Sequence, residues 1–372
     1  MNTTLPTLPF LPLPRLPLPL LPLLTISNLE TRAVLKKTAE AHRYLAELKG
    51  IVASIPNEAI LINTLVLQEA KDSSEIENII TTHDELYKTG LLTESPVNAA
   101  AKEVQDYAIA LRHGFNRVRQ SKIIRLNDIL EIQQIIENNN AGLRKLPGTA
   151  LKNVQTGEVV YTPPQHPAEI QDLMSNLLEY INDDSLCDAD PLVKMALIHH
   201  QFESIHPFYD GNGRTGRIIN LLYLVAKDLQ DLPVLYLSRY IIRNKATYYR
   251  ELQGARDSGD WEPWLLYMME GVVQTAQHTI ALIKQIKLLM QQYKQTMRKQ
   301  LPKIYRQELL NNLFNHPYTR IEYVMNDLGV SRITATRYLD QLATCGLVEK
   351  SRIGKGSYYI NRPLFALLSS EN

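Results

Sequence analysis

Apolar residues recur along most of this chain at three- and four-residue steps, the period of helices that bury one face. Asn28 or Thr31 caps a first predicted helix that runs through Lys49, with Leu35, Ala39, Tyr44, Leu45 and Leu48 on or near one stripe and Gly50 as its stop. A second helix is predicted over 57–70. Further helical patterns cover 98–119 and 126–138, the latter closing in the turn formers Asn138, Asn139, Asn140 and Gly142. The period then drops to two: residues 151–161 alternate and turn at Thr156-Gly157, which predicts a β-hairpin ahead of Pro163-Pro164. Helix resumes over 166–180 and again after Asp190-Pro191, a cap followed by the residue favoured at the first helical position, with Leu192, Met195, Ala196, His199, Phe202 and Ile205 on its stripe. The apolar run 218–225, interrupted only by Asn220, predicts a buried helix just after a glycine-rich turn.

From 270 to 299 the pattern is one long connecting helix, with Leu282, Ile286, Leu289, Tyr293 and Met297 as its seam. After it, a helix over 303–314 precedes 320–327, the turn Leu328-Gly329-Val330-Ser331, and a helix over 332–344. An alternating pair, 347–352 and 357–360, follows around Gly354-Lys355-Gly356, completing a winged helix-turn-helix pattern. Ser331 caps the recognition helix, whose exposed side offers Arg332, Thr334 and Arg337. Nine basic and six acidic groups give this tail only about +3, weak for DNA, so DNA and a protein surface both stay open as its partner.

At 372 residues the chain has room for two or three domains. Forty basic against thirty-nine acidic side chains give no global field that would advertise nucleic acid or a membrane surface. Only Cys187 and Cys345 occur, which argues against a disulfide framework and fits a reducing compartment, the cytoplasm. The leucine- and proline-rich start imitates a signal sequence, but proline every two or three residues forbids both the helical core of a signal and any membrane helix. It reads as an extended arm strapped over the domain or over a partner subunit.

The chemistry concentrates in His206-Pro207-Phe208-Tyr209-Asp210-Gly211-Asn212-Gly213-Arg214-Thr215-Gly216-Arg217, which packs a base, a carboxylate, a small-residue turn and two guanidinium groups together. A helix starting here presents free N–H groups and a positive dipole end to an anion. Arg214 and Arg217, three apart, share roughly one face and can grip neighbouring phosphates. Gly211, Gly213 and Gly216 also satisfy the dinucleotide fingerprint, but that needs a strand before it, and the preceding pattern is helical. His199 and His200, adjacent on a helix, point about 100° apart and make no metal cluster with His206.

Position for position, 206–217 resembles the HxFx(D/E)GNGRxxR signature of the Fic family, mostly adenylyltransferases that move AMP from ATP to a protein hydroxyl. The resemblance implies a mainly α protein, a helical Fic core with a β-hairpin flap, plus the winged helix-turn-helix tail. It makes His206 the general base and Asp210 the holder of Mg²⁺. ATP binding falls to Gly211, Asn212, Gly213, Arg214, Thr215, Gly216 and Arg217, and to Tyr249, in the region where relatives place aromatics against adenine, with Tyr248 as core. Some relatives carry an asparagine to the base seven positions on, where this chain has Arg256. The hairpin corresponds to the flap whose edge aligns the target segment by backbone pairing. Ser73, Glu77 and Asn78 resemble the inhibitory motif (S/T)xxxE(G/N), in which the glutamate pairs with the second arginine, here Arg217.

The domain reading is therefore an arm over 1–27, inhibitory helices over 28–97, a catalytic domain over 98–269, a connecting helix over 270–300 and the winged-helix domain over 301–372. The expected function is an autoinhibited protein adenylyltransferase acting on Ser, Thr or Tyr of target proteins and on itself, with ATP and Mg²⁺. Removal of AMP, transfer of another phosphoryl-type group, and a nucleotide-sensing transcription regulator are the alternatives. The arm and helical seams are compatible with a homodimer, and no membrane partner is expected.

Overall fold

The computed structural model of the chain describes residues 18–21, 29–89, 98–153, 156–353 and 356–369. Most of the expected arm and the Gly354-Lys355 pair of the wing lie outside the described residues. The N-terminal helices are α1 (Arg32–Val52), α2 (Glu58–Ile76), α3 (His83–Thr89), α4 (Ala99–Ser121) and α5 (Leu126–Glu137). The hairpin β1 (Leu151–Lys152) and β2 (Val159–Tyr161) then leads to α6 (Pro167–Asn182), α7 (Pro191–Ile205), α8 (Asn212–Ala226), α9 (Leu237–Arg243), α10 (Lys245–Ser258) and α11 (Glu262–Gln300). The C-terminal module is α12 (Gln307–Asn315), β3 (Tyr318–Arg320), α13 (Ile321–Leu328), α14 (Arg332–Thr344), β4 (Glu349–Ile353), β5 (Gly356–Ile360) and α15 (Arg362–Ser369).

At the centre lie α7 and α8. Every residue of α7 after Pro191 is buried, as is almost all of α8. The start of α7 is fixed as its residues predict: the Asp190 carboxylate accepts from Leu192 N at 2.8 Å, and Pro191 occupies the first turn. His42 on α1 donates from Nε2 to the same carboxylate at 2.8 Å, which raises the His42 pKa and ties α1 to the core. Leu18 to Leu21 cross α6 and α7. The Leu21 backbone exchanges hydrogen bonds with Asn176 at 2.9 and 2.8 Å, and Pro19 O accepts from Gln201 at 2.8 Å.

Three expectations need correction. The buried face of α1 is Val34, Thr38, Ala41, Leu45, Leu48 and Val52, so Leu35 and Ala39 face outward, and the helix runs through Gly50 to Val52. A seam built from Leu35 was one step off the period of 3.6. The second helix continues past Ala70 to Ile76, so Ser73 and Ser74 are buried inside it. The boundary drawn at 269/270 falls within a single helix. The first turns of α11 belong to the catalytic core, where Trp264 is fully buried, stacks at 6.0 Å on His199 and donates to Ala196 O at 2.9 Å.

The C-terminal module has the helix-turn-helix and wing order expected, with an antiparallel sheet in the order β3-β5-β4. Ser331 accepts from Thr334 N at 3.3 Å and caps α14, and Ile333 beside Arg332 is 84% exposed. The module sits on the N-terminal helices as well as on α11, where Tyr293 donates to Leu347 O at 2.8 Å and meets Phe314 edge-on at 5.3 Å. The Tyr87 ring stacks on Tyr318 at 5.8 Å and meets Phe365 edge-on at 6.0 Å, Tyr318 donates to Asp84, and Gln68 on α2 donates to Leu368 O. Removing such a buried aromatic costs about 3–5 kcal/mol. Tyr87→Ala should therefore free the module first: hydrogen exchange over 307–369 should rise well before that of α7 and α8, whereas simultaneous exchange of both would refute this docking as the weaker joint.

Candidate active site

The loop between α7 and α8 is built by its own side chains. His206 ends α7 in the left-handed region at φ 48°, its N–H still donating to Phe202 O at 2.9 Å. Asn212 reaches back to Phe208, accepting from its N and donating to its O, both at 2.8 Å, which closes the turn. Phe208 is buried against Phe202, and Gly211 takes φ 79° as the N-cap of α8. The imidazole of His206 is half-buried. Burial, and then the Arg144 and Arg256 charges, hold its pKa down to about 4 against the opposing pull of Glu77, so at neutral pH it is uncharged and able to take a proton. Asp210 is exposed. One of its oxygens accepts from Gly211 N at 2.7 Å.

Both arginines are already held by carboxylates. Arg217, 2% exposed, donates from Nε to Ser73 Oγ at 2.8 Å, from Nη2 to Ser73 O at 2.9 Å and to Glu77 Oε1 at 2.8 Å. Burial alone would raise the Glu77 pKa, but Arg217, with Arg214 and Lys245, brings it below the usual carboxylate range. Glu77 lies directly over the start of α8, where a Cβ on Gly213 would collide with its Oε1. The residue pattern explains how it gets there. Glu77 is the C-cap of α2, and Asn78 follows at φ 64°, with Asn78 N on Glu75 O and Ile79 N on Ser74 O, both at 3.0 Å. This is a Schellman stop, which needs glycine or asparagine at the left-handed position. Arg214 is paired likewise, at 2.6 Å with Glu137 at the end of α5 and at 3.4 Å with Glu103 on α4. Glu137 Oε1 would lie 2.7 Å from a Cβ on Gly211. The sequence reading paired Arg217 with Glu77 but left Arg214 open to phosphate; the buried positive charge of both is neutralised from three other helices, α2, α4 and α5.

Not every motif residue faces this cradle. Thr215 is fully buried, about 200° around α8 from Gly213, and Gly216 packs on α7, where a Cβ would lie 3.0 Å from Phe202 and 2.8 Å from Glu203. Asn212 is spent on the loop. These three serve the helix and turn rather than offering side chains to a phosphate. His199 and His200 are both buried in hydrogen bonds, to Tyr248 OH at 2.9 Å and Leu252 O at 3.2 Å. Tyr248 is core, while Tyr249 is 46% exposed. Arg256 lies over the Tyr161 ring at 4.2 Å and donates to Ser204 Oγ at 2.8 Å, so it fastens the hairpin to α7. The hairpin leaves Val159 and Val160 about half exposed.

Four residues near the site escaped the sequence reading: Arg144, Glu137, Glu203 and Glu69. None sits in a local pattern that marks it. Glu203, one turn before His206, is buried and pushed up to about 7 by desolvation. Glu69, one turn before Ser73, is buried, accepts from Tyr107 OH at 3.1 Å and Ser238 N at 3.3 Å, and is pushed up to about 8. A divalent cation fits beside Asp210, because Mg²⁺ needs only one or two carboxylates when phosphates supply the rest. Among the described residues no group of three or more ligating side chains could hold a metal without them.

Three family models match the chain: the Fic/DOC family N-terminal model over 35–116, the Fic/DOC family model over 123–224, and the C-terminal domain of SoFic-like protein adenylyltransferases over 289–364. Protein adenylyltransferase fic-1 of Caenorhabditis elegans is 24% identical over 204 residues, 54% of this chain and 39% of that protein. Protein adenylyltransferase Fic of Aedes aegypti is 28% identical over 159 residues, 42% of this chain and 30% of that protein. The chain thus spans less than half the length of these relatives. A Fic family protein from Desulfovibrio desulfuricans G20 has a TM-score of 0.56 at 19% identity, over 89% of this chain and 96% of that one. Fic-1 from C. elegans gives 0.52 at 21%, over 68% and 73%. At such identities the likeness is one of fold.

The protonation of Glu69 gives a direct check on this buried layer. Its folded pKa lies above the unfolded value of 4.5, so the stability it contributes is complete below that pH and is lost as pH rises to about 8. Glu69→Gln imitates the protonated form and removes the slope. The melting temperature of the wild type should fall relative to the variant by about 5 °C between acid pH and mildly alkaline pH; parallel melting curves would show that Glu69 is ionised in the fold.

Proposed function

We propose, from the premise that this chain belongs to the Fic/DOC family, that it transfers AMP from ATP to a Ser, Thr or Tyr hydroxyl of target proteins and of itself, under restraint by Glu77. The observation that carries this reading is the Arg217 guanidinium held by Glu77 at 2.8 Å over the start of α8, with His206 at the end of α7, its pKa lowered by burial. A site for sensing nucleotide alone would need no base.

In this reading polyphosphate replaces Glu77 on Arg217 and Glu137 on Arg214, and lies against the Gly211 to Gly213 backbone. The acceptor oxygen attacks the α-phosphorus in line, its proton passes to His206, and the bond to the bridging oxygen breaks to release pyrophosphate. The N–H groups of α8 and the two arginines spread the charge that develops. Asp210 would hold Mg²⁺, which supplies further charge neutralisation on the phosphates when bound. Tyr249, exposed on α10, is the surface for adenine, and the half-exposed β2 edge of the hairpin is where a target segment pairs. No helix among the described residues is long and apolar enough to cross a membrane. In this reading the targets are proteins of the cytoplasm, the compartment that a chain with only two cysteines fits. The exposed face of α14, with Arg332, Ile333 and Arg337, is the surface for a further partner, DNA or protein.

An inhibitory carboxylate is useful only if it competes with an anion for one guanidinium, so its removal should activate. Glu77→Gly should raise incorporation of AMP into the chain itself by about tenfold or more, since misalignment of the α-phosphate costs about 10²-fold. Glu75→Ala, whose carboxylate pairs with Lys71 at 2.8 Å instead, should change little. Equal activities of the two variants, read by mass spectrometry, would make Glu77 a structural residue. In the Glu77→Gly chain, His206→Ala should lower transfer by about 10²- to 10⁴-fold with ATP binding retained; near-normal transfer would remove His206 from the mechanism.

A further inference from the structure

We infer that Arg144 is a positioning residue for the base: its buried guanidinium binds the His206 carbonyl and the foot of the hairpin together, fixing the imidazole relative to the strand edge that presents the acceptor. The inference rests on the reading of His206 as the base. Arg144 is 1% exposed and lies in the loop between α5 and β1. It donates from Nε to His206 O at 2.7 Å, and from Nη2 to Pro164 O at 2.8 Å and Ile205 O at 3.4 Å. Its own N–H donates to Pro207 O at 2.8 Å, and the next two N–H groups, of Lys145 and Leu146, donate to Tyr209 OH at 3.0 and 3.1 Å. One short loop thus brackets the chain from Ile205 to Tyr209. These carbonyls lack helical partners because α7 ends there, and a cation at a helix C-terminus satisfies both the orphan groups and the dipole.

The contact does more than close a helix. His206 is a non-glycine residue at φ 48°, a conformation that persists only where its surroundings over-determine it. Arg144 supplies that constraint from one side. From the other, Tyr161 OH donates to Ser204 O at 2.9 Å beneath Arg256, so the hairpin is tied to the end of α7 at two points. Neutral donors could bond the same carbonyls at less desolvation cost than a buried guanidinium. The charge has a use, because Arg144 is the largest charged influence holding the imidazole unprotonated. The other groups facing it are Arg256 on α10, which acts the same way, Glu77 at the end of α2, which opposes, and Glu203 on α7 through its backbone.

Two substitutions separate charge from geometry in the full chain, studied with and without Glu77→Gly. Arg144→Gln keeps amide donors and loses the charge; Arg144→Lys keeps the charge and loses the fork. The His206 ring signal, assigned by its loss in His206→Ala, is followed by NMR against pH, a measurement independent of any activity. Its midpoint should rise by roughly one unit in Arg144→Gln and stay in place in Arg144→Lys. In Arg144→Lys the kcat for AMP transfer should fall about tenfold or more with the KM for ATP nearly unchanged, as expected of lost alignment. An unmoved His206 midpoint in folded Arg144→Gln, or an unchanged kcat in Arg144→Lys, overturns the inference. If Arg144→Gln does not fold, the Arg144→Lys kinetics decide alone. Absence of transfer by every chain, Glu77→Gly included, would instead defeat the proposed activity, and the NMR titration would still decide for or against Arg144.

Discussion

The positive start of α8 constrains everything around it. Free N–H groups and two arginines, 5% and 2% exposed, converge where little water reaches them. Buried cations stripped of their counter-charge cost about 3–5 kcal/mol, so this end of the helix is stable only when an anion fills it. Here the anions are Glu77 and Glu137, brought from α2 and α5 to lie against Gly213 and Gly211. Binding of a polyphosphate on the proposed reading is therefore an exchange of one set of negative charges for another. On the same reading, an inhibitory carboxylate at Glu77 need not be held tightly by the core to be effective. Glu77 is 36% exposed and rests on a helix stop, and Arg217 does most of the holding.

That stop belongs to a helix with two working faces. Glu69, Ser73 and Ile76 look inward from α2, Glu77 caps its end on the active-site side, and Ser73 gives both its hydroxyl and its carbonyl to Arg217. On the other side Gln68 bonds Leu368 O, and a cavity of about 390 Å³ lined by Lys71, Asp72, Glu75 and Arg239 lies between α2, α9 and α15. The same helix thus carries the carboxylate and receives the C-terminal module. Glu69 and Asp72 are both pushed up by burial, to about 8 and about 6. Those protonation states belong to a helix wedged between two bodies rather than one lying on a surface.

Much of this was legible in the residues. The 3.6 period found most of the helices, Asp190-Pro191 fixed the start of α7, and the resemblance of Ser73, Glu77 and Asn78 to the inhibitory motif anticipated a pair that forms at 2.8 Å. What failed did so for physical reasons. Leu35 and Gly50 misled because an apolar residue and a glycine carry little weight against a helix that gains from burying Val34 and Val52. Thr215 and Gly216 belong to a signature, but they lie three and four residues past the first residue of α8, where the helix turns Thr215 into the core and packs Gly216 on α7. Glu137 and Arg144 were invisible because their partners lie 77 and 62 residues away, and no local pattern encodes a contact of that range. The left-handed φ of His206 is likewise set by its neighbours rather than by its own preference.

Strain at His206 follows from the demands on it. On the proposed reading the base stands at the end of a fully buried helix, where it can meet a nucleotide lying on the start of the next one. A regular helix end would carry the imidazole onward along the α7 axis. Turning the backbone into the left-handed region redirects it, and Pro207 then prevents the helix from continuing. The carbonyls freed by this turn need donors, and Arg144 meets them with a charge that also keeps the ring unprotonated. Backbone strain, an orphaned helix end and the protonation state of the base thus have a common solution. Glu77 acts on the same imidazole with the opposite sign. On the proposed reading, phosphate in its place keeps a negative charge there, so the base keeps its electrostatic surroundings while the cradle changes occupant.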